Sequence, residues 1–126
     1  MVMKNTEKPT CGCSTDQYIV LACSGASDLG YISDQVARKL SGNKVRNMNC
    51  LTIAATGSEE KIEEFKNSNI LVIDGCSEDC GKKIMAMRDI NDYKYLRLTD
   101  LGYEKGKTPT TQETIKEVYE KAEIIY

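Results

Sequence analysis

The sequence predicts an α/β three-layer sandwich built on a mainly parallel four-stranded sheet. Three observations carry this. Short aliphatic runs alternate with amphipathic stretches four times along the chain. The run Ile70-Leu71-Val72-Ile73 is aliphatic at every position, which implies burial on both faces, as in a parallel sheet. A length of 126 residues, 40% hydrophobic and 29% charged, fits one domain with a core that needs no disulfide staples.

The elements follow in order. Tyr18 to Cys23 is a short apolar run, read as a buried strand. Gly25 turns the chain, and Ser27 is placed to cap a helix running to about Leu40. Leu29, Ile32, Val36 and Leu40 share one face of that helix, and Ser41-Gly42-Asn43 stops it. Val45 to Cys50 is a weaker strand, because Arg46, Asn47 and Asn49 break its pattern. Ser58 opens a helix to Lys66 that packs through Ile62 and Phe65. Ile70 to Asp74 is the strongest strand, and Gly75 follows as a sharp turn. Ser77 to Ile90 reads as a third helix with Ile84, Met85 and Met87 turned inward. Tyr93 to Leu98 is the fourth strand. A polar loop with Gly102, Gly106 and Pro109 leads to a last helix from Thr110 or Thr111, striped by Ile115, Val118, Tyr119 and Ala122.

The expected architecture is Rossmann-like or flavodoxin-like, with residues 16–126 as one α/β domain and residues 1–15 as a flexible arm. The net charge of −2 offers no basic footprint, so no nucleic-acid partner is expected. No apolar run reaches the roughly 20 residues of a membrane span, so no membrane partner is expected. Met1 to Thr10 has no apolar stretch of the signal-peptide kind, which points to a cytoplasmic, reducing compartment.

The chain has no histidine and six cysteines. Histidine-based triads, imidazole acid–base chemistry and mixed Cys/His metal sites are therefore excluded. A transition metal has to be held mainly by sulfur. Functional groups of open α/β sheets collect beyond the carboxyl ends of the strands. Cys23 ends the first strand, Cys50 the second, and Cys76 lies just past the third. Cys80 follows Cys76 by one helical turn. If the first strand lies between the second and third, these ends are adjacent at about 4.8 Å. A tetrahedral thiolate zinc site has Zn–S bonds of about 2.3 Å and sulfurs roughly 3.8 Å apart, which this spacing accommodates. The competing reading is that buried cysteines are core filler.

Several motifs stand in order: Cys23-Ser24-Gly25-Ala26-Ser27, Cys50-Leu51, Asp74-Gly75-Cys76, Cys80-Gly81-Lys82-Lys83 and Leu98-Thr99-Asp100-Leu101-Gly102. Together they resemble the DGC-domain family, named for its Asp-Gly-Cys motif, over about Tyr18 to Ile115. The resemblance implies zinc binding through Cys23, Cys50, Cys76 and Cys80, and it brings no reaction with it.

Cys76 and Cys80 are expected in the first turn of the third helix, near Lys82 and Lys83, where free N–H groups and positive charge lower a thiol pKa. The Ser24–Ser27 loop supplies either N–H donors to metal-bound sulfur or a simple turn and cap. Asp74 and Asp100 read as solvated turn residues or as acceptors behind the cysteines. A Cys-x₅-Arg phosphatase loop is not present: Cys23 plus six is Leu29, and Cys76 plus six is Lys82. Cys11-Gly12-Cys13, in the arm, suits metal delivery, sulfur relay or resolution of a mixed disulfide.

The expected function is thus a structural or sensory zinc protein with Zn²⁺ on Cys23, Cys50, Cys76 and Cys80. The alternative is a thiol redox or persulfide/selenium-transfer protein, with Cys76 as nucleophile and Cys80 as resolving thiol. An iron–sulfur cluster ranks third. An interaction domain with no cofactor ranks fourth. No catalytic residue or protein partner is assigned.

Overall fold

A computed structural model describes residues 17–125. The arm expected over residues 1–15, with Cys11 and Cys13, lies outside the described residues. The elements are β1 (Tyr18–Ala22), α1 (Asp28–Gly42), β2 (Asn47–Cys50), α2 (Leu51–Thr56), α3 (Glu59–Lys66), β3 (Asn69–Asp74), α4 (Cys80–Met87), β4 (Lys94–Arg97), a 3₁₀ turn (Leu98–Leu101) and α5 (Gln112–Glu123). The sheet order is β2-β1-β3-β4, and every pair is parallel.

The alternation of side chains along each strand makes two cores. Val20 and Ala22 of β1, Leu71 and Ile73 of β3 and Leu96 of β4 face one side. There they meet Leu29, Ile32, Val36 and Leu40 of α1 and Ile115, Val118 and Ala122 of α5. Ile19, Leu21, Ile70 and Val72 face the other side, against Ala54 of α2, Ile62 and Phe65 of α3, and Met85 of α4. The fold is therefore the expected α/β sandwich, with β1 and β3 central and buried on both faces.

Ser27, Ser58 and Thr111 each cap their helix through a side-chain oxygen that accepts from a backbone N–H three residues on. Three local expectations fail. The third helix is shorter than Ser77–Ile90, covering Cys80–Met87 only. Met87 is 72% exposed, so Met85 alone of its pair enters the core. Helix α2 was not visible in the sequence, where Leu51 to Thr56 carries three β-branched residues and no side-chain cap. Its carboxyl end is held from a distance: the Arg88 guanidinium donates to the carbonyls of Ala55 and Gly57.

Arg46 performs a similar task at the opposite edge of the sheet. It is 2% exposed and donates to the carbonyls of Ile19, Asn69 and Ile125 at 3.0, 2.9 and 3.1 Å. One buried side chain thus ties β1, β3 and the carboxyl-terminal segment together. The residue that weakens the β2 pattern is the one that fastens three segments. Arg46→Met removes all three donors from buried acceptors. The urea midpoint should drop by the equivalent of about 2–3 kcal/mol with an unchanged slope.

Candidate functional site

The parallel register sets the cysteines at one edge of the sheet. Ala22 pairs with Cys50 on one side and Ile73 on the other. The Cys23 N–H continues the β1–β3 ladder, donating to the Ile73 carbonyl at 2.9 Å. Cys23 therefore stands one residue beyond β1, Cys50 closes β2, and Cys76 follows β3 by two residues. Cys80 is the first residue of α4, and its thiol lies near that of Cys23.

Three of the four cysteines line two separate clefts. Cys23 and Cys50 line one of about 390 Å³, with Ser24, Asp34, Arg38 and Ile84. Cys76 lines another of about 510 Å³, with Thr99, Tyr103 and Lys105. Cys80 lines neither and is exposed at the start of α4. Among the described residues, no three Cys, Asp or Glu side chains stand close enough together to hold one metal ion. As a donor set, four thiols without imidazole fit a soft or borderline metal such as zinc. Ligation of one ion by all four requires the sulfurs to draw closer together.

Two electrostatic expectations change. Cys76 is not helical: it precedes a Ser77-Glu78-Asp79 loop, so it does not occupy the first turn of α4. The Cys80 thiol is pushed up rather than down, first by burial and then by the proximity of Cys23, Asp74 and Cys76. Asp74 contributes to this and occupies the donors at the start of α4. This residue is only 1% exposed, not a solvated turn residue. Its Oδ1 accepts from Gly81 N–H at 2.8 Å and its Oδ2 from Lys82 N–H at 3.1 Å. The donors at the start of α4 that were expected to favour thiolates are already bound to a carboxylate. The Lys82 ammonium lies 5.2 Å above the Tyr95 ring.

Asp74 anchors a longer chain of contacts. Tyr95 Oη donates to Asp74 Oδ2 at 2.7 Å and lies 3.2 Å from Asp79 Oδ1. Arg97 Nη1 donates to Asp79 at 2.7 Å and Nη2 to Asp100 at 3.0 Å. Burial and the Asp74 carboxylate push the Tyr95 phenol well above its ordinary pKa. Asp79 adopts φ 54°, a left-handed conformation uncommon outside glycine, and these partners hold it there. The shape of the Cys76–Cys80 loop is consequently set from β4.

Two glycines of the motifs are required by close approach. A Cβ on Gly75 falls 2.9 Å from the Leu29 Cβ, because the turn after β3 crosses the first turn of α1. A Cβ on Gly81 falls 2.6 Å from Val72 Cγ1 and 2.8 Å from Asp74 Oδ1.

Sequence reasoning missed Asp34, Arg38, Tyr95 and Arg97. Asp34 and Arg38 are spaced i, i+4 on α1, a signal present in the sequence. Their position beside Cys23 and Cys50 depends on the packing of α1 against β1 and β2. Tyr95 and Arg97 share one side of β4 but sit in an undistinguished strand pattern.

The fold and the site define an α/β domain with cysteines gathered at the carboxyl edge of a parallel sheet. The chain belongs to the DGC-domain family, whose sequence profile matches residues 19–122. It is also similar to the anaerobic and virulence modulator AnvM of Pseudomonas aeruginosa strain PAO1. The two are 28% identical over 90 residues, which span 69% of this chain and 67% of that protein. No solved structure matches the chain. Among the described residues no helix is long and apolar enough to cross a membrane.

Gly81→Ala forces the Asp74 carboxylate and Val72 away from the start of α4. A loss of about 2–4 kcal/mol is expected in urea unfolding. The thiols should also report it, because Cys80 labelling in the folded protein should accelerate as α4 loosens.

Acid stability gives a second test. The Asp28 carboxylate accepts from the N–H groups of Leu29, Gly106 and Thr108, which fastens the 104–108 loop to α1. Those donors, Gly106 foremost, hold its pKa below the ordinary 3.8. The Arg97 contact lowers Asp79 in the same way. A carboxylate depressed by folding stabilises fully above its unfolded value, and that contribution is lost as pH falls through the folded one. Stability should therefore decline below about pH 3.8. Asp28→Asn should be less stable than wild type at neutral pH and show a shallower acid decline, read as urea midpoint against pH.

Proposed function

We propose that this domain is a zinc-binding module in which Cys23, Cys50, Cys76 and Cys80 act together as thiolate ligands. The observation that carries the reading is the strand order. With β1 between β2 and β3, three strand ends and the start of α4 deliver four sulfurs to one edge of the sheet. The absence of histidine makes sulfur the donor, and four protein ligands leave no position for a reactive water. The role is accordingly structural or sensory, in keeping with the word modulator in the name of the Pseudomonas relative.

The chain's own residues supply ligands and hold them. Asp74 fixes α4 and with it Cys80. The β1–β3 ladder fixes the Cys23 backbone. Zinc, when bound, supplies a cross-link between β1, β2 and the Cys76–Cys80 loop, whose contribution appears as folding stability.

Protein purified without added metal should carry about one zinc per chain by elemental analysis. Cys23→Ser and Cys80→Ser should each lose most of it, and chelation should lower the melting temperature of the wild type. Metal-free protein whose four thiols are all freely reactive, and which gains no stability on adding zinc, overturns the reading.

A second reading is favoured by the nearness of Cys80 to Cys23. In it the domain is a dithiol, with Cys23 in place of Cys76 as the partner of Cys80. A two-electron oxidant such as a peroxide takes both hydrogens, forms the S–S bond and leaves water. Peptide mapping of oxidised, metal-free protein should then find a Cys23–Cys80 cross-link. A different pair, or none, counts against it.

A further inference from the structure

We propose that the cleft bounded by Cys23, Cys50 and Arg38 is a binding site for a small disulfide that carries a carboxylate. Arg38 seats the carboxylate, and Cys50 exchanges with the sulfur. This goes beyond the zinc reading and belongs to the metal-free chain, in which Cys50 is a free thiol rather than a ligand.

Among the described residues, Arg38 is the only cation in the lining of the cleft, and Asp34 the only anion. Their pairing is directional. Arg38 Nε donates to Asp34 Oδ2 at 2.7 Å, and Asp34 Oδ1 accepts from Ser24 Oγ at 2.8 Å. Asp34 is 15% exposed and Arg38 65%. A partly buried carboxylate, itself steadied by the loop after β1, thus holds the guanidinium by its inner nitrogen. Among the described residues Nη1 and Nη2 of Arg38 find no hydrogen-bond partner. Those two nitrogens form the planar fork that matches a carboxylate bidentately. Cys50, exposed, lies in the same lining and within Coulombic reach of Arg38.

The cleft therefore presents a cationic fork and a reactive sulfur side by side, over a floor of Ala22, Leu51 and Ile84. Its volume of about 390 Å³ admits a ligand of the size of an amino-acid disulfide. The exchange balances without a further reagent. The Cys50 thiolate attacks one sulfur of the ligand disulfide, the ligand S–S bond breaks, and a Cys50–S–S bond forms. The other half leaves as a thiolate with the electron pair. The ligand disulfide is the oxidant.

The test compares cystine with cystamine, which is the same disulfide without its carboxylates. The full chain, reduced and freed of metal, is exposed to each, and the mixed disulfide at Cys50 is followed by peptide mapping. The cystine-to-cystamine rate ratio at Cys50 should fall about tenfold in Arg38→Met. The ratio at Cys76, in the other cleft, should not change. Arg38 is largely exposed, so this variant keeps the fold, and Cys76 provides the control within the same molecule. An unchanged ratio at Cys50, an equal fall at Cys76, or no adduct at Cys50 with either reagent overturns the proposal. Because the chain is metal-free throughout, these outcomes are separate from those that decide zinc binding.

Discussion

A single buried carboxylate organises the functional end of this molecule. Asp74, at the last position of β3, takes two backbone N–H groups of α4 and the hydroxyl of Tyr95. A buried carboxylate without donors is costly, so its three donors are a condition of its burial rather than an embellishment. It can reach them only because Gly81 has no side chain and lets the helix approach within hydrogen-bonding distance. From Asp74 the constraint spreads through Tyr95 to Asp79 and Arg97, and so to the loop that carries Cys76. The Asp-Gly-Cys motif is in this sense a joint. Its first residue clamps the next helix, its second clears the first turn of α1, and its third is placed by both.

The same carboxylate changes the chemistry of the sulfurs. A helix start commonly favours anions, but here its donors are already engaged, and Asp74 stands as a negative neighbour of Cys80. Together with burial and the adjacent Cys23 this disfavours the Cys80 thiolate when no cation is present. Such a thiol gains most from a metal ion, whose charge reverses the local balance. The cationic element of the site lies instead on α1, where Asp34 orients Arg38 beside Cys50. The edge thus has a carboxylate-controlled half around Cys80 and a guanidinium-controlled half around Cys50.

Much of this was legible locally. The strands of the core announce themselves by aliphatic runs, and three helix caps by Ser27, Ser58 and Thr111. Cys23, Cys50 and Cys76 were placed at strand ends because strand ends follow from periodicity. What failed depended on partners distant in the chain. Helix α2 lacks a side-chain cap at its start, and its end at Gly57 is held by Arg88. Arg46 breaks a strand pattern because its guanidinium serves three carbonyls far away in sequence. Asp74 looked like a turn residue because its donors lie seven, eight and 21 residues further on.

The sequence by itself determined the α/β class, the family and a chain with cysteines but no imidazole, since these depend on composition, periodicity and short motifs. The tertiary structure decided which sulfurs meet and which charges face them. It sets Cys80 near Cys23, assigns Cys50 and Cys76 to separate clefts, and brings Arg38 to Cys50. The physical reason is range. Helix and strand signals act over a few residues, whereas a thiol's electrostatic surroundings are set by side chains that only folding makes neighbours.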